Sequence, residues 1–277
     1  AIRRQRQMCI RDSEWANGYD CYCWLKRQAA GTDFTALSET LTALAGRIIG
    51  RRGLTVSVTG KRSAEVDEAV AALVGSLPEG AGVSGAGIAA RGLRREGIEI
   101  PSDVGYAAMG GLSGGLDGRW QLAGRVVSLE YLWNAVRVQG GAYGTGMVTR
   151  VSGFDGCYSY RDPSAAATLR TYAGAPQFLR GFASGGPDLD GLITGAVAAG
   201  EPLLTPRAKG EEADDLYFRG ITYEMRRARR AQLLGGSCAD LAAVAEKLEQ
   251  VFEKPAVCVL APRAELERCS LDEVLGL

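Results

Sequence analysis

The chain has 277 residues, 46% hydrophobic and 23% charged, and none is histidine. Without an imidazole, Ser-His-Asp and Cys-His catalytic sets and any histidine-bearing zinc site are excluded for this chain alone. Its 32 Lys and Arg balance 32 Asp and Glu, so no global field draws it to nucleic acid or to an anionic membrane.

The first dozen residues, Ala1 to Asp12, show no periodicity and read as a ragged end. The start at Ala1 rather than Met suggests a piece of something larger. The basic run Arg3-Arg4-Gln5-Arg6 is not followed by the apolar stretch of a secretory signal. Seven cysteines, an odd count, then read as reduced thiols in a cytosol-like compartment, which makes a cytoplasmic location the expectation. Cys21 and Cys23 form a close pair without a second pair at zinc-site spacing. No apolar run reaches the ~18 residues of a membrane span.

Leu37, Leu41, Leu44 and Ile48 recur at helical steps, which predicts a helix over 33–50 with a core face. Arg51-Arg52-Gly53 stops it, with a glycine available for a left-handed cap. Leu54-Thr55-Val56-Ser57-Val58 alternates and is β-branched, the pattern of a strand ended by Thr59-Gly60. Ser63 is a suitable N-cap for the next helix, whose stripe is Val66, Val70, Leu73 and Leu77. Residues 78–96, from Pro78 through a run of small residues, read as a Gly-rich linker and a domain boundary. Gly80-x-Gly82-x-x-Gly85 matches a dinucleotide fingerprint only as a string, because no strand precedes it.

Residues 97–110 alternate but contain Pro101, which predicts a broken or edge strand. Gly110 to Gly115 reads as a loop with no Gly-Lys-Ser/Thr to make it a phosphate loop. A long helix over 117–138 follows, with Leu122, Val126, Leu129, Leu132, Trp133 and Val136 at three- and four-residue steps. Gly140-Gly141 breaks it. Residues 142–149 and 154–160 then form a hairpin across Ser152-Gly153. Asp162, beside Pro163, reads as a turn or cap residue opening another helix. Helices are expected at 188–199, 211–234 and 238–253, a final apolar strand at 256–261, and a short helix after it. Glu211, Glu212, Asp214, Asp215 and the basic run Arg226-Arg227-x-Arg229-Arg230 would share the helix 211–234, acid near its N-end and base near its C-end. Helix–strand–helix around 54–58 also faintly echoes helix–strand–helix around 256–261. Interleaved helices, hairpins and crossovers favour an α+β fold with helices layered on one face of a mixed or antiparallel sheet.

The chemically most distinctive stretch runs from Tyr131 to Gly144. Arg137 ends an apolar helix, Gly140 and Gly141 permit close backbone approach, and Tyr143 stands at the mouth of a strand. A guanidinium and a phenol at such a turn are donors suited to a carbonyl oxygen or a developing oxyanion. On residues alone the favoured reading is a helix-end arginine facing the helix dipole and a tyrosine that packs.

Val136-Arg137-Val138-Gln139-Gly140-Gly141-Ala142-Tyr143-Gly144 resembles the signature of the pitrilysin/insulinase family. In particular it is similar to the C-terminal half of presequence-protease-like zinc metallopeptidases. Leu129 to Asn134, Ser159-Tyr160-Arg161-Asp162-Pro163 and Leu54 to Gly60 fit the same pattern, and the resemblance runs from about residue 16 to the end. It implies a clamshell of four α+β modules, with this chain holding the end of the third module (1–77), a linker (78–96) and the complete fourth (97–277). It implies that zinc and the catalytic glutamate belong to an N-terminal half with an inverted His-x-x-Glu-His motif, absent here. Arg137 and Tyr143 would reach across the chamber to hold the scissile carbonyl, with Gly140, Gly141 and Ala142 as substrate-binding backbone between them. The implied activity is zinc-dependent endopeptidase cleavage of short unfolded peptides, with this chain inactive alone. The implied partners are the zinc-binding N-terminal half or subunit and the peptide, with no metal ligand in this chain. A non-catalytic scaffold, or a partner subunit paired with a separate zinc chain, stands as the alternative.

Overall fold

A computed structural model describes residues 18–80, 95–114, 117–151 and 153–276. The ragged start, Cys9, most of the expected linker and most of the Gly80–Gly85 string lie outside these residues. The chain divides into two compact units: one holds 18–80 with 203–222, the other 95–202 with 223–276. No described helix is long and apolar enough to cross a membrane.

The first unit contains helices α1 (Tyr19–Ala29), α2 (Thr35–Ile48) and α3 (Ala64–Ser76). Ser63 caps α3, its hydroxyl accepting from the Val66 amide at 3.4 Å. The expected core face of α2 is not buried: Leu41, Leu44 and Ile48 are exposed. Gly53 has the anticipated positive φ of 79°, but it lies beyond the helix end at Ile48 and serves a separate turn. Residues 54–59 are not a strand, contrary to their alternating sequence. Alternation equips a segment to sit on a sheet, but a strand exists only when a neighbour supplies the ladder hydrogen bonds. The echo of the 256–261 region fails with it.

The second unit is built on a six-stranded sheet in the order β3-β4-β2-β5-β1-β6. The strands are β1 (Arg95–Glu99), β2 (Gly105–Leu112), β3 (Gly144–Thr149), β4 (Phe154–Asp162), β5 (Ala256–Ala261) and β6 (Glu273–Gly276). β1 runs parallel to β5 and β6, while β2 is antiparallel to β4 and β5, and β3 to β4. Pro101 separates β1 from β2, so the broken strand is two strands. The α+β architecture with a mixed sheet is the one expected.

Pairing assigns residues to faces. Ala107, Met109, Cys157, Val257, Val259 and Ala261 point to one side and are buried. That side is covered by helices α4 (Gly118–Val126), α5 (Ala165–Ala173), α6 (Ala175–Ser184) and α10 (Cys238–Glu253), which bury Leu122, Leu169, Leu179, Leu241 and Leu248. Burial pushes the Cys157 thiol far above its ordinary pKa, so it is an inert core residue. The opposite face carries Tyr106, Tyr158 and Tyr160, all exposed, among Ala108, Gly110, Gly144, Gly146 and Gly156.

The remaining helices are α7 (Asp190–Gly200), α8 (Pro206–Phe218), α9 (Tyr223–Leu234) and α11 (Arg263–Leu266). The single helix expected over 211–234 is two, because Gly220 takes a φ of 64° between α8 and α9. The acidic residues 211–215 and Arg226–Arg230 therefore lie on different helices, and no shared dipole relates them. α10 begins with a full capping box between Ser237 and Asp240.

Asp155 is 1% exposed at the start of β4 and accepts a hydrogen bond from the Ser113 hydroxyl. Burial raises its carboxyl pKa from 3.8 to about 7, opposed by the Ser113 bond and assisted by the nearby Asp117 charge. A carboxyl with a raised folded pKa stabilises the fold fully below its unfolded pKa, and that contribution is lost as pH climbs through the folded value. Asp155→Asn should thus gain stability on the wild type between about pH 4 and about pH 7, by up to ~4 kcal/mol. Urea denaturation over that range checks this; parallel pH profiles for the two proteins would contradict it.

Candidate active site

Arg137 lies on a helix that changes character part-way. After α4, residues Val127–Gln139 are π-helical, with i→i+5 turns. Its buried residues are Val127, Leu132 and Val136, at steps of five and four. The wider turn carries Leu129 and Trp133, both expected in the core, out to solvent. Trp133 then stacks under the Arg137 guanidinium, whose central carbon is 4.1 Å from the ring centroid.

Several contacts hold this segment. The Ser128 hydroxyl donates to Gly124 O at 2.6 Å and accepts from the Met147 amide of β3 at 2.8 Å. The Tyr131 hydroxyl donates to Thr171 O at 3.0 Å, and its ring stacks on Phe178 at 4.6 Å. The π-helix is thereby tied to β3, α5 and α6.

Gly140, Gly141 and Ala142 form the turn into β3. The amides of Gly140 and Gly141 donate to Arg137 O, and that of Ala142 to Val136 O. All three N–H groups are engaged by the helix end, and the Ala142 side chain is buried. What this turn can offer a ligand is carbonyl oxygens and a surface free of side-chain bulk. Gly141 needs to be glycine, with φ at 80°.

Tyr143 follows, with 59% of its surface exposed. Its amide donates to Arg161 O at 3.2 Å, and its ring meets the Tyr160 ring edge-on at 5.6 Å. The Arg137 guanidinium lies 5.8 Å from the Tyr143 ring centroid. So does that of Arg161, a residue that sequence reasoning left in a supporting motif. The rings of Tyr158 and Tyr160 stack at 6.4 Å and extend the aromatic surface along β4.

Asp162 is the turn residue anticipated. It is 1% exposed and accepts hydrogen bonds from the Ser164 amide at 2.9 Å and from the Ser159 hydroxyl at 2.7 Å. Two guanidiniums and a phenol thus converge at the end of a π-helix, beside the helix-free face of the sheet. Such a corner can donate to carbonyl or carboxylate oxygens. The chain has no histidine, and no three His, Cys, Asp or Glu side chains cluster among the described residues.

The model of the PreP C-terminal domain family matches residues 95–263. The chain is 31% identical over 245 residues to presequence protease 1, chloroplastic/mitochondrial, of Arabidopsis thaliana, covering 85% of this chain and 22% of that protein. It is 28% identical over 184 residues to protein HypA of Clostridium perfringens, covering 64% of this chain and 18% of that one. The chain therefore spans about a fifth of the length of these curated relatives. Among solved structures, the peptidase M16 inactive domain from Pseudomonas fluorescens aligns with a TM-score of 0.50 at 15% identity, over 73% of this chain and 51% of that one. That likeness concerns the fold alone. The likeness to presequence proteases that Val136–Gly144 suggested holds, and the chain belongs to the PreP C-terminal domain family.

Proposed function

We propose that the chain is the C-terminal portion of a zinc-dependent metalloendopeptidase that degrades short unfolded peptides. In this reading it closes the substrate chamber over an N-terminal half that binds the zinc. Arg137 and Tyr143 hold the scissile carbonyl and the negative charge that develops on its oxygen. Gly140, Gly141 and Ala142 let the peptide backbone approach closely. The cytoplasm is the location this reading takes.

The observation that carries it is the convergence of Arg137 and Tyr143. Five residues separate them, yet the π-helix and the double-glycine turn bring guanidinium and ring within 5.8 Å at one exposed corner. A carbonyl oxygen bound there receives donors that are already positioned. Preorganised donors of this kind lower a barrier because nothing reorganises as charge develops. The Trp133 stack holds the Arg137 guanidinium, which pairs with no carboxylate among the described residues.

The reading requires a partner, since the described residues of this chain supply no metal ligand set. Mixed with the zinc-bearing half, the chain should restore chelator-sensitive cleavage of a quenched fluorescent peptide, while alone it should cleave nothing. Chelator-sensitive cleavage by the isolated chain would overturn the division of labour. A mixture that binds peptide without cleaving it, whatever stands at positions 137 and 143, would favour the scaffold alternative.

A further inference from the structure

Arg161 combines three unusual features. It is the only non-glycine residue with positive φ among those described, at 50°. It is also an extra residue in its strand: across the β2–β4 ladder Tyr106 faces Tyr160 and Gly105 faces Asp162, leaving Arg161 without an opposite number. Such a bulge re-aims a side chain. In an unbroken strand Arg161 would follow Cys157 and Ser159 onto the helix-covered face, where a guanidinium is costly to bury. The bulge instead places Arg161 at the surface beside Tyr143 and gives the inward position to Asp162, which is buried and hydrogen-bonded.

The third feature is charge. Arg137 and Arg161 both lie 5.8 Å from the Tyr143 ring centroid. Neither forms an ion pair with a carboxylate among the described residues, unlike Arg119, Arg180, Arg230 and Arg263 elsewhere in this unit. A backbone held in a sparsely populated conformation persists where the surroundings enforce it, and such positions cluster at ligand clamps. Here the enforced conformation presents a second cation at a corner where neither guanidinium is paired with a carboxylate among the described residues.

We infer that Arg161 is a substrate anchor: it binds a carboxylate of the peptide whose backbone lies at Arg137 and Tyr143. This rests on the peptide-binding reading above and adds to it a preference for anionic peptides. The carboxylate comes either from the peptide C-terminus or from an Asp or Glu side chain, and both present the same fork of oxygens to a guanidinium.

The test is direct binding by the 277-residue chain, read as fluorescence anisotropy of a short unfolded peptide labelled at its N-terminus. The peptide is used in three forms: free C-terminal carboxylate with Glu, C-terminal amide with Glu, and free carboxylate with Gln in place of Glu. Arg161→Gly is the informative variant, because glycine suits the positive φ and keeps the fold while the guanidinium is removed. Arg161→Lys keeps the charge.

Arg161→Gly should weaken binding of the first peptide about tenfold, with a thermal midpoint equal to or above that of the wild type. Arg161→Lys should recover part of the loss. One of the two altered peptides should lose the same factor with the wild type and nothing further with Arg161→Gly, which identifies the source of the carboxylate. Unchanged affinity in Arg161→Gly, or losses that simply add for both altered peptides, overturns the anchor. If Arg137→Gln and Tyr143→Phe still weaken binding in that case, the peptide-binding reading survives without it. If those variants also bind as the wild type does, or the wild type binds none of the peptides, both fall.

Discussion

If the chain works as proposed, Arg137→Ala and Tyr143→Phe in its assembly with the zinc-bearing half should each lower kcat by about 10²–10³ while KM changes little. That is the loss expected when one donor to a developing oxyanion is removed, ~3–4 kcal/mol of barrier. An interaction realised mainly in the transition state appears in kcat rather than in KM. The two side chains share one corner, with guanidinium and ring 5.8 Å apart. The double variant should therefore lose less than the product of the single losses. Initial rates over a range of peptide concentrations measure all three variants. A pair of single variants with wild-type kcat would remove both residues from the chemistry.

The second large effect concerns stability. Leu132 is fully buried on the π-helix, one residue before the exposed Trp133. Leu132→Ala removes core atoms and leaves a cavity that the tethers at Ser128 and Tyr131 prevent from closing. A cost of about 2–5 kcal/mol is expected, read as a lower urea midpoint with an unchanged slope. The same change at Trp133 should cost far less, because its ring rests on Arg137 rather than in the core. Equal costs at the two positions would mean that the register of the π-helix is wrong.

Most of the second unit was legible in the sequence, and for local reasons. The helix over 238–253 and the strand over 256–261 fall where expected, because a capping box opens the first and Lys254-Pro255 separates the two. Asp162 announced a turn, and in the first unit Ser63 announced a helix start. What was not legible depended on partners or on small changes of helical pitch. Leu54–Val58 has the composition of a strand, but composition does not supply a neighbouring ladder. Leu129 and Trp133 stand at ordinary helical steps from Leu122 and Val126, and only the wider π-turn puts them outside. Gly220 could have been read as a break between α8 and α9, since glycine ends helices routinely.

The corner was only half legible. Arg137 and Tyr143 drew attention through the glycines between them. Arg161 did not, because Tyr158-Ser159-Tyr160-Arg161 alternates without a visible interruption. One clue was available: Ser159 and Asp162, the polar pair that turns inward, are three residues apart, an odd separation that no regular strand permits on one face.

The bulge at Arg161 also bears on how this segment tolerates changes in length. Strand β4 contains one residue more than its ladder with β2 requires, so deleting a single codon there leaves enough chain to complete the hairpin. With Arg161 deleted, the straightened strand would have no surplus residue, and Asp162 would follow Tyr160 directly while still facing Gly105 and pointing inward. In such a deletion the charged side chain beside Tyr143 is surrendered, while the carboxylate that receives the Ser164 amide keeps its register. A length change that the β-ladder can absorb is thus a loss for the corner alone, which separates what the extra residue presents from what holds the strand and the following helix together.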